Sequence, residues 1–226
     1  TPELGGIIRA QVLSFNRLAW RVLQEEGGIS RTFISQTGMN MFLRKIIEEK
    51  KHEFKVFSKA SEKKGFIEHI EQMITEMKRY IISPDMLDDQ VKKLAESHDH
   101  RERILSDKLK DLAGIYRSVE KLFADKYIDS EDYLQLLSEK IYESSYMDGA
   151  EIYIDGFHNF TPQELQVIES MMKTASSITI ALTLDKPPEE AVADELHLFY
   201  MTAETFSLLK KMAERNNISI DEVAYM

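Results

Sequence analysis

The spacing of apolar residues changes once along this chain, at Glu151, and that change limits the possible folds more than any other feature. Before it, apolar side chains recur every three or four positions, as on the packed face of a helix. Ile67, Ile70, Ile74, Met77 and Ile81 follow this rule, and so do Leu105, Leu109, Leu112, Tyr116, Val119 and Phe123. After it, Glu151 to Asp155 reads as a strand. Thr161-Pro162-Gln163-Glu164 then supplies an N-cap, a proline at the first helical position and a capping-box glutamate. That helix runs to about 173, and Ser177 to Leu184 is a continuous apolar and β-branched strand. Residues 151–184 therefore predict one β-α-β unit, with parallel strands and a right-handed crossover.

Upstream, Gln11-Val12-Leu13 predicts a short strand, and Ser14 caps a helix with Leu18, Ala19, Val22 and Leu23 on one face. Gly27-Gly28 ends that helix. Further helices are expected at about 36–51, 60–81, 85–97 and 101–127, and from Ser130 to about 144, packed as a bundle. Downstream, Asp185 to Asp194 reads as a linker. Then come a strand-like segment at 195–200, a helix at about 202–216 and a last short strand at 218–223. The expected fold is α/β and helix-dominated, with the sheet pieces at the two sides of a helical insertion. The boundaries are 1–28 for the first part of the α/β core, 29–148 for the insertion, 149–187 for the rest of the core, and 188–226 for a linker and the start of another α/β unit.

Composition narrows the function classes. The 226 residues contain no cysteine, which removes disulfides, thiolate zinc sites and cysteine nucleophiles and fits a reducing cytoplasm. No stretch approaches the roughly 20 apolar residues of a membrane span, and no signal pattern opens the chain. A soluble, cytoplasmic protein without membrane association is the expectation. The chain begins with Thr1-Pro2-Glu3 and stops at Met226 in a polar stretch, so we read it as a piece of something longer. Its net charge of -10 argues against nonspecific coating of nucleic acid. The average hides a gradient: residues 1–60 carry ten Lys and Arg against six acids, a local +4, and nucleic-acid contact is expected near that end.

Two stretches could carry chemistry. In Ile152 to Thr161, Asp155 ends an apolar strand where parallel sheets bind ligands and where nucleotide hydrolases hold magnesium. Alternatively, Asp155 only caps local amides. In Ser14 to Arg21, Phe15, Arg17 and Trp20 could combine stacking rings with a cation on one surface, or the two rings could be core and Arg17 a solvated helix residue. The pair His98 and His100 around Asp99 lacks a further ligand and reads as a solvated loop, and the methionines fall mainly at core spacing.

The order of these parts resembles superfamily one helicases of the UvrD type, in which a strand ending V-D-E-F-Q-D follows a helical insertion. Here the match is I-D-G-F-H-N, which sets Asp155 on the metal-binding aspartate and Phe157 on the phenylalanine. The resemblance implies a RecA-like, P-loop NTPase-like core with a degenerate Walker B strand. The glutamate that would activate water is replaced by Gly156, no G-x-x-x-x-G-K-[ST] loop occurs, and no ATP hydrolysis is expected here.

Over essentially the whole chain, TPELGG, SFNRLAWRVL, IYIDGFHNFTPQE and ELHLFY resemble the AddB family. That likeness implies a DNA-reading surface of Phe15, Arg17, Trp20 and Phe157 bound to single-stranded DNA, with a role in recognising the Chi recombination sequence. It also implies a heterodimer with an AddA-type helicase-nuclease subunit in double-strand break repair. No catalytic residue, metal site or cofactor is expected within these residues. ATP and magnesium remain possible for the full-length protein, and an iron-sulfur cluster and nuclease metal are expected only in a C-terminal domain. Two other classes fit the residues taken alone: a nucleotide-hydrolysing motor domain completed upstream, and a helical protein-interaction module.

Overall fold

Ser14 starts the first helix of the computed structural model, which describes residues 10–25, 31–124, 126–185, 195–221 and 223–224. Its hydroxyl accepts the Arg17 amide at 3.4 Å, and α1 (Phe15–Glu25) buries Ala19, Val22 and Leu23 on the face their spacing marks. The segment TPELGG, the Gly27-Gly28 stop and residues 186–194 of the expected linker lie outside the described residues.

The expected helices form with adjusted ends. They are α2 (Gln36–Lys50), a short α3 (Phe57–Ala60), α4 (Phe66–Arg79), α5 (Pro84–Ala95) and α6 (His100–Phe123), followed by α7 (Ser130–Lys140). The helix expected over 60–81 starts only at Phe66 and ends at Arg79, because Gly65 before it takes a φ of 86°, a left-handed value outside the helical range that suits glycine. Asp99 caps α6 by accepting the Arg101 amide at 2.8 Å, so the acid between the two histidines has a structural task. The methionines divide: Met39, Met147, Met171 and Met212 are buried, whereas Met41, Met73, Met86 and Met201 are exposed.

Faces of α2, α4 and α6 meet in a core that includes Leu43, Ile47, Ile70, Ile74, Leu112 and Ile115. Each such side chain, fully removed from water, contributes roughly 1.5–3 kcal/mol. A two-residue parallel pairing that the sequence did not signal, β1 (Thr32–Phe33) with β2 (Tyr127–Ile128), clasps the ends of this block. Under the clasp, the Lys78 ammonium lies 2.6 Å from Asp129 and 2.7 Å from Asp132. Burial alone would lower its pKa, but the two carboxylates outweigh that and raise it.

The β-α-β unit forms, with its second strand ending at Ile180 rather than Leu184. Strand β3 (Glu151–Ile154) pairs in parallel with β4 (Ser177–Ile180), Glu151 opposite Ser177 and Ile154 opposite Ile180, and α8 (Pro162–Thr174) makes the crossover. Thr161 and Glu164 close the capping box in both directions. A second core joins α1, α7 and α8 through Val22, Leu23, Leu137, Ile141 and Val167. The amide of Gln163 donates to the Glu131 carbonyl at 2.8 Å and the Ser170 hydroxyl to that of Ser138 at 2.9 Å, fastening α8 to α7. A third core sets Ile154, Phe160 and Ile168 against Leu209 and Met212 of α9 (Tyr200–Arg215).

Three expected strands are corrected. Among the described residues, residues 11–13 pair with no strand and Val12 is 96 % exposed, and an unladdered strand has nothing to hold it. Residues 195–199 are turns and a bend rather than a strand, with Leu196 and Leu198 95 % and 86 % exposed. Residues 218–221 are irregular, because the Ile218 amide is taken by the Ala213 carbonyl at 2.9 Å to close α9, with Asn217 at a φ of 55°. The described residues form a helix-dominated fold with two small parallel pairings. Among the described residues, no helix is long and apolar enough to cross a membrane.

Candidate nucleic-acid interface at the end of the first sheet strand

Strand β3 alternates, with Ile152 and Ile154 toward the helices and Glu151 and Tyr153 toward solvent. At its C-terminal end Asp155 is exposed, and its Oδ1 accepts the Gly156 amide at 2.8 Å. Gly156 turns the chain at a φ of 84°. A Cβ there would meet nothing within 4 Å, so the backbone conformation rather than space selects glycine.

The turn delivers Phe157 to a ring cluster. Phe157 stacks on Phe160 at 5.0 Å and meets Phe15 edge-on at 5.6 Å, while Phe15 meets Phe160 at 6.3 Å and 88°. Such pairs each contribute about 0.5–1.5 kcal/mol beyond burial. Phe160 is buried, and Phe15 and Phe157 are half-buried above it. The His158 carbonyl accepts the Thr205 hydroxyl at 3.0 Å, which ties the turn to α9.

Arg17 and Trp20 lie elsewhere on α1. Three residues apart, they are separated by about 60° around the helix and share its solvent side. Arg17 is exposed and Trp20 is 49 % exposed. Among the described residues Trp20 makes no ring contact with Phe157. The structure therefore joins Phe15 to Phe157 and leaves Arg17 with Trp20 on an adjacent open face. Phe15 meets Phe157 although residues 11–13 form no strand.

Sequence reasoning missed what holds α1 in place. The Arg21 guanidinium sits 5.8 Å from the centre of the Tyr146 ring, and the Tyr146 hydroxyl donates to Gln11 at 2.8 Å. Glu25 accepts the Ser144 and Ser145 hydroxyls at 2.9 and 2.8 Å, and those bonds, Ser145 first, hold its carboxyl below its ordinary range. These partners lie more than a hundred positions apart in the chain, so no local spacing marks them. Phe160, the floor of the ring cluster, was legible only as an apolar residue before the cap.

The chemistry available follows from this inventory. Hydrolysis of a nucleotide needs a carboxylate on the metal and a second group to activate water. Asp155 spends an oxygen on the adjacent amide, and Gly156 has no side chain where the second group would stand. Among the described residues no group of three or more His, Cys, Asp or Glu could hold a metal ion. The residues present offer ring faces, a tryptophan and an arginine in solvent.

The class defined by these features is a helix-dominated protein with small parallel strand pairings. The chain matches the family model described as ADDB, N-terminal, over residues 1–226, and it belongs to that family. It is 51 % identical over 224 residues to the B-subunit of the ATP-dependent helicase/deoxyribonuclease of Bacillus subtilis. It is also 48 % identical over 223 residues to the protein of that name from Geobacillus kaustophilus, and 50 % over 221 residues to that of Anoxybacillus flavithermus. These matches cover 97–98 % of this chain and 19 % of each relative, so the chain spans about a fifth of their length.

Proposed function

We propose that this chain is a non-hydrolysing, helicase-like region that binds single-stranded DNA, formed by part of a RecA-like core and its helical insertion. The observation that carries the reading is the turn at Asp155-Gly156. It has lost the means to activate water and instead presents Phe157 beside Phe15. The relatives' name, a subunit of an ATP-dependent helicase/deoxyribonuclease, supports a place in DNA processing. In this reading the intact subunit forms a heterodimer with an AddA-type helicase-nuclease and acts in double-strand break repair, and the ring cluster with Arg17 and Trp20 takes part in Chi recognition. ATP and magnesium act elsewhere in the assembly, and any iron-sulfur cluster or nuclease metal lies beyond these residues.

Trp20 is the only tryptophan here and half of it is open to solvent, so it reports on its own surface. Titration of the chain with single-stranded DNA at low salt is expected to quench its fluorescence. The quenching should weaken with added salt and in Arg17→Ala and Phe157→Ala. A flat signal would overturn the reading in favour of a protein-interaction role. In the intact assembly, Asp155→Ala is expected to leave ATP hydrolysis unchanged, and loss of hydrolysis would restore the nucleotide-hydrolysing alternative.

A further inference from the structure

We propose that the lysine-rich corner between α2 and α4 docks the phosphate backbone of duplex DNA, a surface separate from the ring cluster. The inference rests on the reading that the intact subunit processes DNA. Residues 50–64 carry six lysines against Glu53 and Glu62, a local charge of +4 in a chain of -10, which leaves -14 for the remainder. Lys51, Lys55, Lys59, Lys63 and Lys64 are exposed. Lys51 pairs with Glu48 at 3.1 Å and Lys55 with Asp107 at 2.7 Å. Lys50, Lys59, Lys63 and Lys64 have no carboxylate within 4.0 Å among the described residues. Arg103 and Lys110 of α6, about one turn to either side of Asp107, extend the positive surface.

The corner is built rather than loose. Asp111, 5 % exposed, accepts the amides of Lys55, Val56 and Phe57 at 3.1, 2.8 and 3.0 Å, which pins the segment to α6. Phe54, Phe57 and Phe66 interlock beneath it at 6.5 and 5.3 Å. The lysines therefore project from a backbone already held in place, and binding orders only their side chains.

Charge sign selects a polyanion, and the rings choose between its forms. Single strands are gripped by exposed aromatic faces on which bases stack. Here Phe54 is buried and Phe57 and Phe66 are packed against each other, so the corner offers cations alone. Cations without rings suit the regular phosphates of a duplex, whose bases stay stacked inside. The ring cluster at Phe15 and Phe157 has the opposite character.

The test compares a short blunt-ended duplex with a single strand of the same sequence, each titrated against the intact subunit across a range of salt. Lys59→Glu/Lys63→Glu/Lys64→Glu is expected to weaken duplex binding by about tenfold or more. It should also flatten the logarithmic salt dependence by about 0.9 for each phosphate no longer neutralised, with single-strand affinity kept. Lys210→Glu/Lys211→Glu on α9 should change neither. Duplex affinity and salt slope that ignore the triple substitution would overturn the proposal, as would an equal loss for both DNA forms. Single-strand affinity that ignores Phe157→Ala would overturn the ring-cluster reading and leave the lysine corner to stand on its duplex data.

Discussion

Asp111 and Asp155 both accept backbone amides, and the contrast between them separates the helical block from the β-α-β unit. Asp111 is buried on α6 and satisfies three amides from a segment more than fifty residues away in sequence. Asp155 is exposed and satisfies one, that of its own neighbour. The tyrosines repeat the difference. Tyr116 is 3 % exposed and burial pushes its pKa up to about 12, whereas Tyr153 is 72 % exposed on the outer face of the sheet. Asp111 is taken from water and partnered, so it serves stability. At the end of β3, polar groups and rings are left reachable, and a reachable group adds little to folding but can touch a ligand.

Substitution should reproduce that ordering. The largest effect is expected at Asp111→Ala, which strands three inward amides and removes charge-assisted bonds. We expect a loss of about 3 kcal/mol in denaturant unfolding, with weaker duplex binding as the lysine corner loosens. A change too small to measure would erase the distinction between the two regions.

A smaller effect, confined to alkaline pH, belongs to Tyr116. Its folded pKa of about 12 exceeds the ordinary 10.0, so its contribution is complete below pH 10 and is lost as pH rises from 10 to 12. The loss should reach roughly 2 kcal/mol. Tyr116→Phe should remove that part of the alkaline decline. The part owed to Lys78 should remain: its pKa is raised above 10.5, so its ion pairs stabilise below that value and fade as pH climbs through the folded one. An unaltered pH profile in Tyr116→Phe would show that the block does not hold this hydroxyl out of water.

The smallest effect is expected at Asp155→Ala, within about 0.5 kcal/mol of wild type by thermal or denaturant unfolding. A cost comparable to that of Asp111→Ala would make Asp155 a structural residue and collapse the comparison.

The parts legible in the sequence were those governed by neighbours in the chain. Thr161, Pro162 and Glu164 mark the start of α8 because a capping box closes over three residues, and the spacing of Leu112, Tyr116, Val119 and Phe123 marks a helix face that is buried. Strands 151–154 and 177–180 were legible because the helix between them sets their parallel sense. The misreadings were apolar alternations with no partner. Leu196 and Leu198 alternate as strand residues do, but the chain turns there and runs into α9.

The arrangement of the candidate residues was legible in part. Asp155, Gly156 and Phe157 stood out as a strand end turning into a capped helix, and Phe15, Arg17 and Trp20 as rings with a cation. Their division into two faces was not legible, because Phe15 is committed to Phe157 and Phe160 by the meeting of α1 with the turn after β3. The partnership of Lys78 with Asp129 and Asp132 was likewise invisible across some fifty positions.

By itself, then, the sequence determined helix caps, faces, the β-α-β unit and the glycine turn after Asp155. Each of these is set by stereochemistry or residue type within a few positions. Only the tertiary structure decided which charges are buried together, which apolar runs find a sheet, that the Gly156 turn brings Phe157 against α1, and that six lysines share one held corner. Those outcomes depend on desolvation and contact between segments far apart in the chain, and such energies exist only once the segments have met.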